Sequence, residues 1–172
     1  MSYTDMRGAN LSGAYLRQAD LEGALLRYAN FSNAIMPEVF MKDVQAANTN
    51  FTGAEITLAF LTSANFAGAN FTRAMITANF TDSFFVDATF IDANLDGSYF
   101  TNADLRRAYF LRAKLTGVDF TGADLTDADL TEADLTDANL TDADLTDAIL
   151  TRTILTNAIL KGTKMPSGWS AP

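Results

Sequence analysis

Residues 120–150 repeat with a period of five. They read FTGADLTDADLTEADLTDANLTDADLTDAIL, a run of Ala-Asp-Leu-Thr-Asp units with little variation. We call the large apolar residue position i, so that Ala lies at i−2, Asp or Asn at i−1, Thr at i+1, and Asp or Glu at i+2. This period limits the possible folds, because it matches neither regular secondary structure.

A five-residue period excludes both a continuous helix and a flat strand. On an α-helix five residues advance about 140° past a full turn, so the leucines would spiral around the rod. On a flat strand, whose period is two, successive leucines would point to opposite faces. Only i−2 and i share a face, so each repeat is expected to point Ala and Leu inward and then turn. Coils of such repeats must stack to pair their backbone groups, which predicts a solenoid with a continuous core.

The A-[DN]-[LF]-[ST]-x pattern resembles that of the pentapeptide-repeat proteins over nearly the whole chain. The resemblance implies an all-β fold, a right-handed quadrilateral parallel β-helix with four repeats per coil, one on each side of a square. Position i runs from Met6 to Met165 in 15 repeats up to Ile76 and 18 from Phe80, joined by one four-residue step. Four repeats per coil give about 8 coils and a rod about 40 Å long, at roughly 4.8 Å per coil.

The repeat predicts one β-helical domain over residues 1–165, followed by a tail at 166–172. Two places depart from the pattern, an irregular coil at 36–50 and the four-residue step near 76–80. Pro37 lacks an N–H and Ala46 underfills an i position, so we expect a distortion at 36–50, such as a protruding turn.

Large apolar residues at position i are the candidate core. Residues 20 apart should stack, which predicts phenylalanine columns inside the rod beside an outward ladder of Asn10, Asn30, Asn50 and Asn70. The predicted core residues are Phe31, Phe51, Phe71, Phe80, Phe90, Phe100, Phe110, Phe120, Leu125, Leu130, Leu135, Leu140 and Leu145.

The composition argues against catalysis. The chain has no Cys and no His, and so lacks thiolate chemistry and the commonest general base and metal ligand. Carboxylates in a regular solvated array do not form a catalytic pair, and we expect neither a metal nor another cofactor. The N-terminus lacks an apolar signal-peptide core and no stretch is long enough to span a membrane, so a soluble cytoplasmic protein is expected.

Acidic residues are concentrated near the C-terminus. The net charge is −9, and residues 115–151 hold ten carboxylates without a Lys or Arg, whereas the remainder has 11 acidic and 12 basic residues. A carboxylate at i−1 faces solvent in the repeat, so this segment either serves solubility or forms an acidic interaction surface. Its members are Asp119, Asp124, Asp127, Asp129, Glu132, Asp134, Asp137, Asp142, Asp144 and Asp147.

Some outward i−1 positions carry apolar residues. Phe40, Phe60 and Tyr99 are predicted to lie on one side, either as ordinary scattered surface residues or as a partner patch. Ile149, Ile154 and Ile159 should form a belt around the last coils. Trp169 would fold over the last coil as a lid or, with these isoleucines, form an end contact.

Two functions remain open on the sequence. The first is a non-catalytic interaction or scaffold protein with an unknown protein partner. The second, implied by the resemblance, is a DNA mimic that binds DNA gyrase or topoisomerase IV and confers quinolone resistance. Direct nucleic-acid binding is not expected of an acidic chain, nor is membrane binding, and a monomer and an end-to-end homodimer are both compatible. The regular Asp- and Thr-rich style resembles cyanobacterial members of unknown role.

Overall fold

Each repeat forms one side and one corner of a square coil. The computed structural model describes residues 1–170. At most corners a β-turn starts at i, and the N–H of i+3 donates to the C=O of i, as from Ala24 to Leu21 at 3.0 Å. The residue at i+2 has a positive φ at 32 corners, of which 23 are occupied by non-glycine residues and nine by glycine. This left-handed conformation suits Gly, Asn and Asp best, which are the residues that the repeat places there most often.

Backbone hydrogen bonds join successive coils into parallel ladders. The N–H groups of Leu21 and Gly23 donate to Phe40 and Lys42 of the next coil at 2.8 and 2.9 Å. The N–H of Asn30 donates in the opposite direction, to Ala9 of the preceding coil at 2.8 Å. Together with the turn bond, these contacts use most of the backbone donors that the turns leave free. The chain folds as a right-handed quadrilateral parallel β-helix, which confirms the prediction.

The only two continuous strands of the described chain lie at the four-residue step. Strand β1 spans Glu55–Phe60 and strand β2 spans Met75–Asn79, and they pair in parallel with Ile56 opposite Ile76. The register shifts between Thr57 and Ala59, so Leu58 is an extra residue in a β-bulge. The shortened side is therefore absorbed locally, and coils beyond it pair at a spacing of 20 again, as Phe84 does with Asp104.

Alanine and large apolar side chains fill the shaft. The predicted phenylalanine columns are present. The rings of Phe51 and Phe71 are stacked with their centroids 4.8 Å apart, and so are those of Phe80 and Phe100. A third pair that the sequence reasoning did not single out, Phe66 and Phe85, stacks at 5.1 Å. All thirteen predicted core residues are fully buried, at no more than 1 % exposure.

Residues 36–50 form a regular coil, so the predicted distortion is wrong. The pattern of turn and bridge continues without interruption, and Val39, Val44 and Ala46 are completely buried. Pro37 lies at i+1 of its turn, the position where a fixed φ is favourable and where the other repeats use no N–H for the ladder. Nothing protrudes, because valine is still small enough for the i−2 position.

Hydroxyl groups that replace alanine at i−2 are paired inside the shaft. The Thr49 hydroxyl donates to the Leu26 carbonyl at 2.8 Å, and the Ser83 hydroxyl donates to the Leu61 carbonyl at 2.7 Å. Among residues 1–170 no buried side-chain oxygen or nitrogen lacks a partner. These polar substitutions are therefore accommodated by the carbonyls of the preceding coil.

Truncation of one core leucine should destabilise the rod strongly. Leu130→Ala removes a fully buried side chain, and we expect unfolding to cost about 2–5 kcal/mol less because a cavity remains. The neighbouring Thr131→Ala is the control, since its partly exposed side chain should change stability by only about 0.5 kcal/mol. Chemical denaturation measures both, and equal effects would contradict the assignment of Leu130 to the core.

Candidate interaction surfaces

The i−1 side chains form four outward columns, one on each side of the rod. On the Phe40 side, parallel bridges connect successive coils in a single column. Its members in chain order are Asp20, Phe40, Phe60, Asn79, Tyr99, Asp119, Asn139 and Ile159. Phe40, Phe60 and Tyr99 therefore share one side, which is where the sequence analysis placed them.

Carboxylates at i−1 hold their own turns. The Oδ1 atoms of Asp129 and Asp134 accept hydrogen bonds from the N–H groups of Thr131 and Thr136 at 2.9 and 3.0 Å. Asn50 does the same for Thr52 at 3.0 Å, so where a polar i−1 residue supports the turn, it does so through its acceptor oxygen and not through a negative charge. The two-residue spacing between Asp or Asn and Thr or Ser is the sequence signal for this role, and the sequence reasoning missed it.

Charges alternate along one corner of the rod. Asp92, Arg112, Glu132 and Arg152 follow one another at intervals of 20 residues. The Arg112 guanidinium donates to both carboxylate oxygens of Asp92 at 2.6 and 2.8 Å and lowers the pKa of Asp92. Arg152 likewise pairs with Glu132. The corner is therefore a chain of ion pairs, although exposed pairs of this kind contribute little stability each.

The ten predicted acidic residues form a belt around the rod and not a stripe along it. They occupy i−1 and i+2 positions on all four sides of the C-terminal coils. Three are near a cation, with Asp124 3.8 Å from Arg106, Asp144 2.7 Å from Lys164, and Glu132 beside Arg152. The hydrogen bond from Lys164 is the largest cause that lowers the pKa of Asp144, to about 2.

A hollow opens where the four-residue step removes a corner. Its volume is about 290 Å³, and Leu58, Ala59, Phe60, Thr77, Ala78, Asn79, Gly97 and Tyr99 line it. A Cβ added to Gly97 would meet nothing within 4 Å, which shows how open this corner is. Phe40 and Phe60, which are 46 % and 52 % exposed, stack at 5.5 Å beside it.

Leu58 is an unusual residue for its position. It has a φ of 54° and is 67 % exposed. A left-handed conformation costs a residue with a Cβ roughly 1–2 kcal/mol, and exposure leaves the leucine side chain without its usual burial. The other aliphatic side chains of the chain lie at positions other than i+2.

The isoleucines predicted as an end contact surround the last coils. Ile149, Ile154 and Ile159 pair with Asp129, Asp134 and Asn139 on three different sides, and each is about half exposed. Trp169 is half-buried, and its N–H donates to the Pro166 carbonyl at 3.1 Å. Its role as a lid or an end contact stays a prediction.

Residues 1–170 contain neither a cluster of metal ligands nor a helix that could span a membrane. No three His, Cys, Asp or Glu residues converge on a common point that could hold a metal ion. That part of the chain also contains no helix of the length and hydrophobicity needed to cross a bilayer.

The coil geometry agrees with comparisons to known proteins. The model of the pentapeptide repeat family matches eight copies over residues 4–43, 41–82, 83–122 and 123–162. The chain therefore belongs to the pentapeptide repeat proteins, a family that generally provides structural or interaction modules. A search of curated protein sequences finds no significant match.

Solved structures of the same family resemble the chain along most of its length. HetL, a pentapeptide repeat protein involved in heterocyst differentiation regulation from the cyanobacterium Nostoc sp. strain PCC 7120, is 27 % identical, with 97 % of this chain and 89 % of HetL covered and a TM-score of 0.54. Rfr23 from the cyanobacterium Cyanothece 51142 is 28 % identical, with 53 % and 63 % covered and a TM-score of 0.52. A trypsin-treated form of QnrB1, a plasmid-mediated fluoroquinolone resistance protein, shares the fold at 20 % identity, with 95 % and 90 % covered and a TM-score of 0.59.

The turn-holding role of i−1 carboxylates is testable at Asp134, which accepts from the Thr136 N–H and hydroxyl. Asp134→Asn and Asp134→Ala remove the same charge, but only alanine removes the acceptor oxygen. We expect the alanine variant to lose about 0.5–1.5 kcal/mol more of its unfolding free energy than the asparagine variant. Denaturant titration of both checks this, and identical stabilities would show that the carboxylate acts only as a surface charge.

The Lys164–Asp144 pair should stabilise the rod above pH 4 and lose this effect in acid. The pKa of Asp144 falls from 3.8 to about 2 on folding, so its contribution is complete above 3.8 and is lost as the pH falls through 2. We expect Lys164→Met to lower the melting temperature at pH 6 and to lower it much less at pH 2.

Lys161→Met is the control for this experiment, because it removes the same charge and Lys161 forms no ion pair within residues 1–170. A difference between the two variants that persists unchanged at pH 2 would contradict the ion pair as its source.

Proposed function

We propose that this protein is a non-catalytic interaction module that binds a protein partner on the outer surface of its rod. The observation that carries this proposal is the exposed, stacked pair of Phe40 and Phe60 in a column where four of the other six members are Asp or Asn. The fold does not require an aromatic ring at this outward position, since Asp, Asn and Ile also occupy it in the same column. Large exposed rings contribute nothing to the shaft, whereas aromatic residues are enriched at protein interfaces.

The rigidity of the rod supports the same role. Each coil is fixed by ladder bonds to both neighbours and by a buried core that runs along the axis. A partner would therefore meet a preorganised surface and would pay little ordering entropy on this side of the interface. A cytoplasmic location is part of the proposal, since a chain without cysteine needs no oxidising compartment.

A DNA mimic that binds DNA gyrase or topoisomerase IV is the second candidate, and the acidic belt favours it. The belt places ten carboxylates in fewer than two coils, so at roughly 4.8 Å per coil it carries about one charge per ångström of axis. Duplex DNA carries one charge per roughly 1.7 Å. The local charge density is therefore about 1.7 times that of DNA, but the belt covers only about a quarter of the rod.

Capture from a lysate of the source organism tests the first proposal. Wild-type bait should retain a partner that a Phe40→Ser, Phe60→Ser double variant loses, while Tyr109→Ser, an exposed ring on another side, keeps it. Circular dichroism and melting temperature verify that all three baits are folded. A bait that retains no protein beyond an empty-resin control would contradict an interaction role.

Gyrase supercoiling assays separate the two candidates. A DNA mimic should alter supercoiling at low salt and lose this effect as salt screens its charges, since the Debye length falls to about 10 Å at 0.1 M. A belt variant with Asp127, Asp137, Asp142 and Asp147 changed to Asn and Glu132 changed to Gln should lose the effect as well. An interaction module of the first kind leaves supercoiling unchanged at every salt concentration.

A further inference from the structure

We propose that the hollow beside Leu58 is the docking site for a basic segment of a partner protein, which inserts one apolar side chain flanked by Lys or Arg. This inference rests on the proposed interaction role and names the place and the partner chemistry. The hollow, the surrounding charges and the conformation of Leu58 carry it independently of the acidic belt.

The shape of the hollow suits a single side chain. Its volume of about 290 Å³ is below the roughly 300–1,000 Å³ of most small-molecule pockets. Its walls are the Leu58 side chain on one coil and Gly97 and Tyr99 two coils further on, and Thr77 and Ala78 form the floor. An aromatic or branched aliphatic side chain placed there would contact Phe60 and Tyr99, which are both about half exposed without it.

The hollow combines features that cost stability. The four-residue step removes a corner, but it does not require a leucine at the neighbouring corner, where Gly, Asn or Asp would adopt a positive φ with less strain. The chain nevertheless places an exposed leucine in that conformation beside two exposed stacked rings. Strain and exposure that the fold does not need are expected where a surface serves binding.

Charge selects the kind of partner. Residues 55–62, 75–82 and 94–102 lie on the three coils that line the hollow, and residues 35–43 lie on the coil before them. Together they contain one cation, Lys42. The same four segments contain five carboxylates, Glu38, Asp43, Glu55, Asp82 and Asp96. Arg17 neutralises Glu38, and Lys42 lies 3.9 Å from Asp43.

The other three carboxylates, Glu55, Asp82 and Asp96, have no cationic partner within residues 1–170. An apolar hollow with an unneutralised acidic rim is complementary to an apolar anchor between basic residues. A second copy of this chain is a poor occupant, because each copy carries a net charge of −9.

A displayed library of random peptides tests the proposal with an unbiased probe. Peptides selected on the wild-type protein and counter-selected on Gly97→Asn should share one large apolar residue flanked by Lys or Arg. Asn tolerates the φ of 68° at Gly97, and its side chain would occupy the open corner without touching the core. Gly117→Asn is the matched control, with a φ of 64°, equally open space, and a place one coil away from the hollow.

Titration of one enriched peptide then gives the decisive numbers. We expect Gly97→Asn and Leu58→Gly to weaken binding by about tenfold or more, because buried anchor contacts dominate interface energies, and Gly117→Asn to leave it unchanged. Leu58→Gly should at the same time raise the melting temperature, since glycine relieves the left-handed strain. A loss of affinity together with a gain in stability distinguishes a binding residue from a structural one.

Three results would overturn the proposal. The first is the enrichment of acidic or uncharged peptides, and the second is equal affinity of the selected peptide for the Gly97→Asn and Gly117→Asn variants. The third is a wild-type protein whose mass in solution rises to that of a dimer as its concentration increases, while Gly97→Asn stays a monomer. The last result would assign the hollow to self-association. Partner capture through another side of the rod would leave the interaction role intact while the hollow fails, so the two proposals can fail separately.

Discussion

Every coil of this protein depends on corners at which the residue two positions after position i has a positive φ. This residue lets the chain turn from one side of the square to the next, so that Ala and the bulky residue of the next repeat face the same shaft. The backbone donors on either side of the turn then meet the coils before and after it. The core therefore depends on the turns, because leucines at a five-residue spacing can share an interior only if the chain turns between them.

The turn also explains the polar half of the repeat. Asp and Asn at i−1 are interchangeable because both offer an oxygen to the N–H at i+1. Charge at that position is a by-product of the turn that the sequence can concentrate or dilute. In the belt at residues 115–151 the acceptors at i−1 are mostly carboxylates. The i+2 positions at the corners add further charges, and some of the corner carboxylates form ion pairs with arginines of the next coil.

The period of the sequence predicts a turning solenoid with Ala and the bulky residue inside, since a five-residue repeat fits neither a helix nor a flat strand. The square coil of four repeats came from the family resemblance, and only with it could the columns at a spacing of 20 be predicted, including Phe31 over Phe51. The coil at 36–50 was misjudged because Pro37 and Ala46 depart from the motif in type, although each fits the local geometry. A pattern of residue types overstates such departures, whereas volume and turn position decide the structure.

The candidate hollow was less predictable for a different reason. The sequence shows where a residue is missing, but not which coil adjusts to it. In the structure the preceding coil adjusts, by placing Leu58 in a bulge and leaving Gly97 open on the other side. Phe60 and Tyr99 were recognised as neighbours on one side, but the space between them results from a register shift that no local pattern encodes.

Because the register between coils is fixed, the outward side chains of this rod form a regular array. The position of each side chain is defined by its coil and its side, and equivalent positions on neighbouring coils are roughly 4.8 Å apart along the axis. Adding or removing 20 residues would change the length of the rod by one coil and would leave the side-by-side pairing of the remaining residues unchanged. The loss of a single residue, such as the one near Ala78, changes that pairing and leaves a local register shift. The length of such a molecule can therefore change by whole coils without disturbing the surface array, whereas a coil with fewer than 20 residues creates a surface feature that no other coil has.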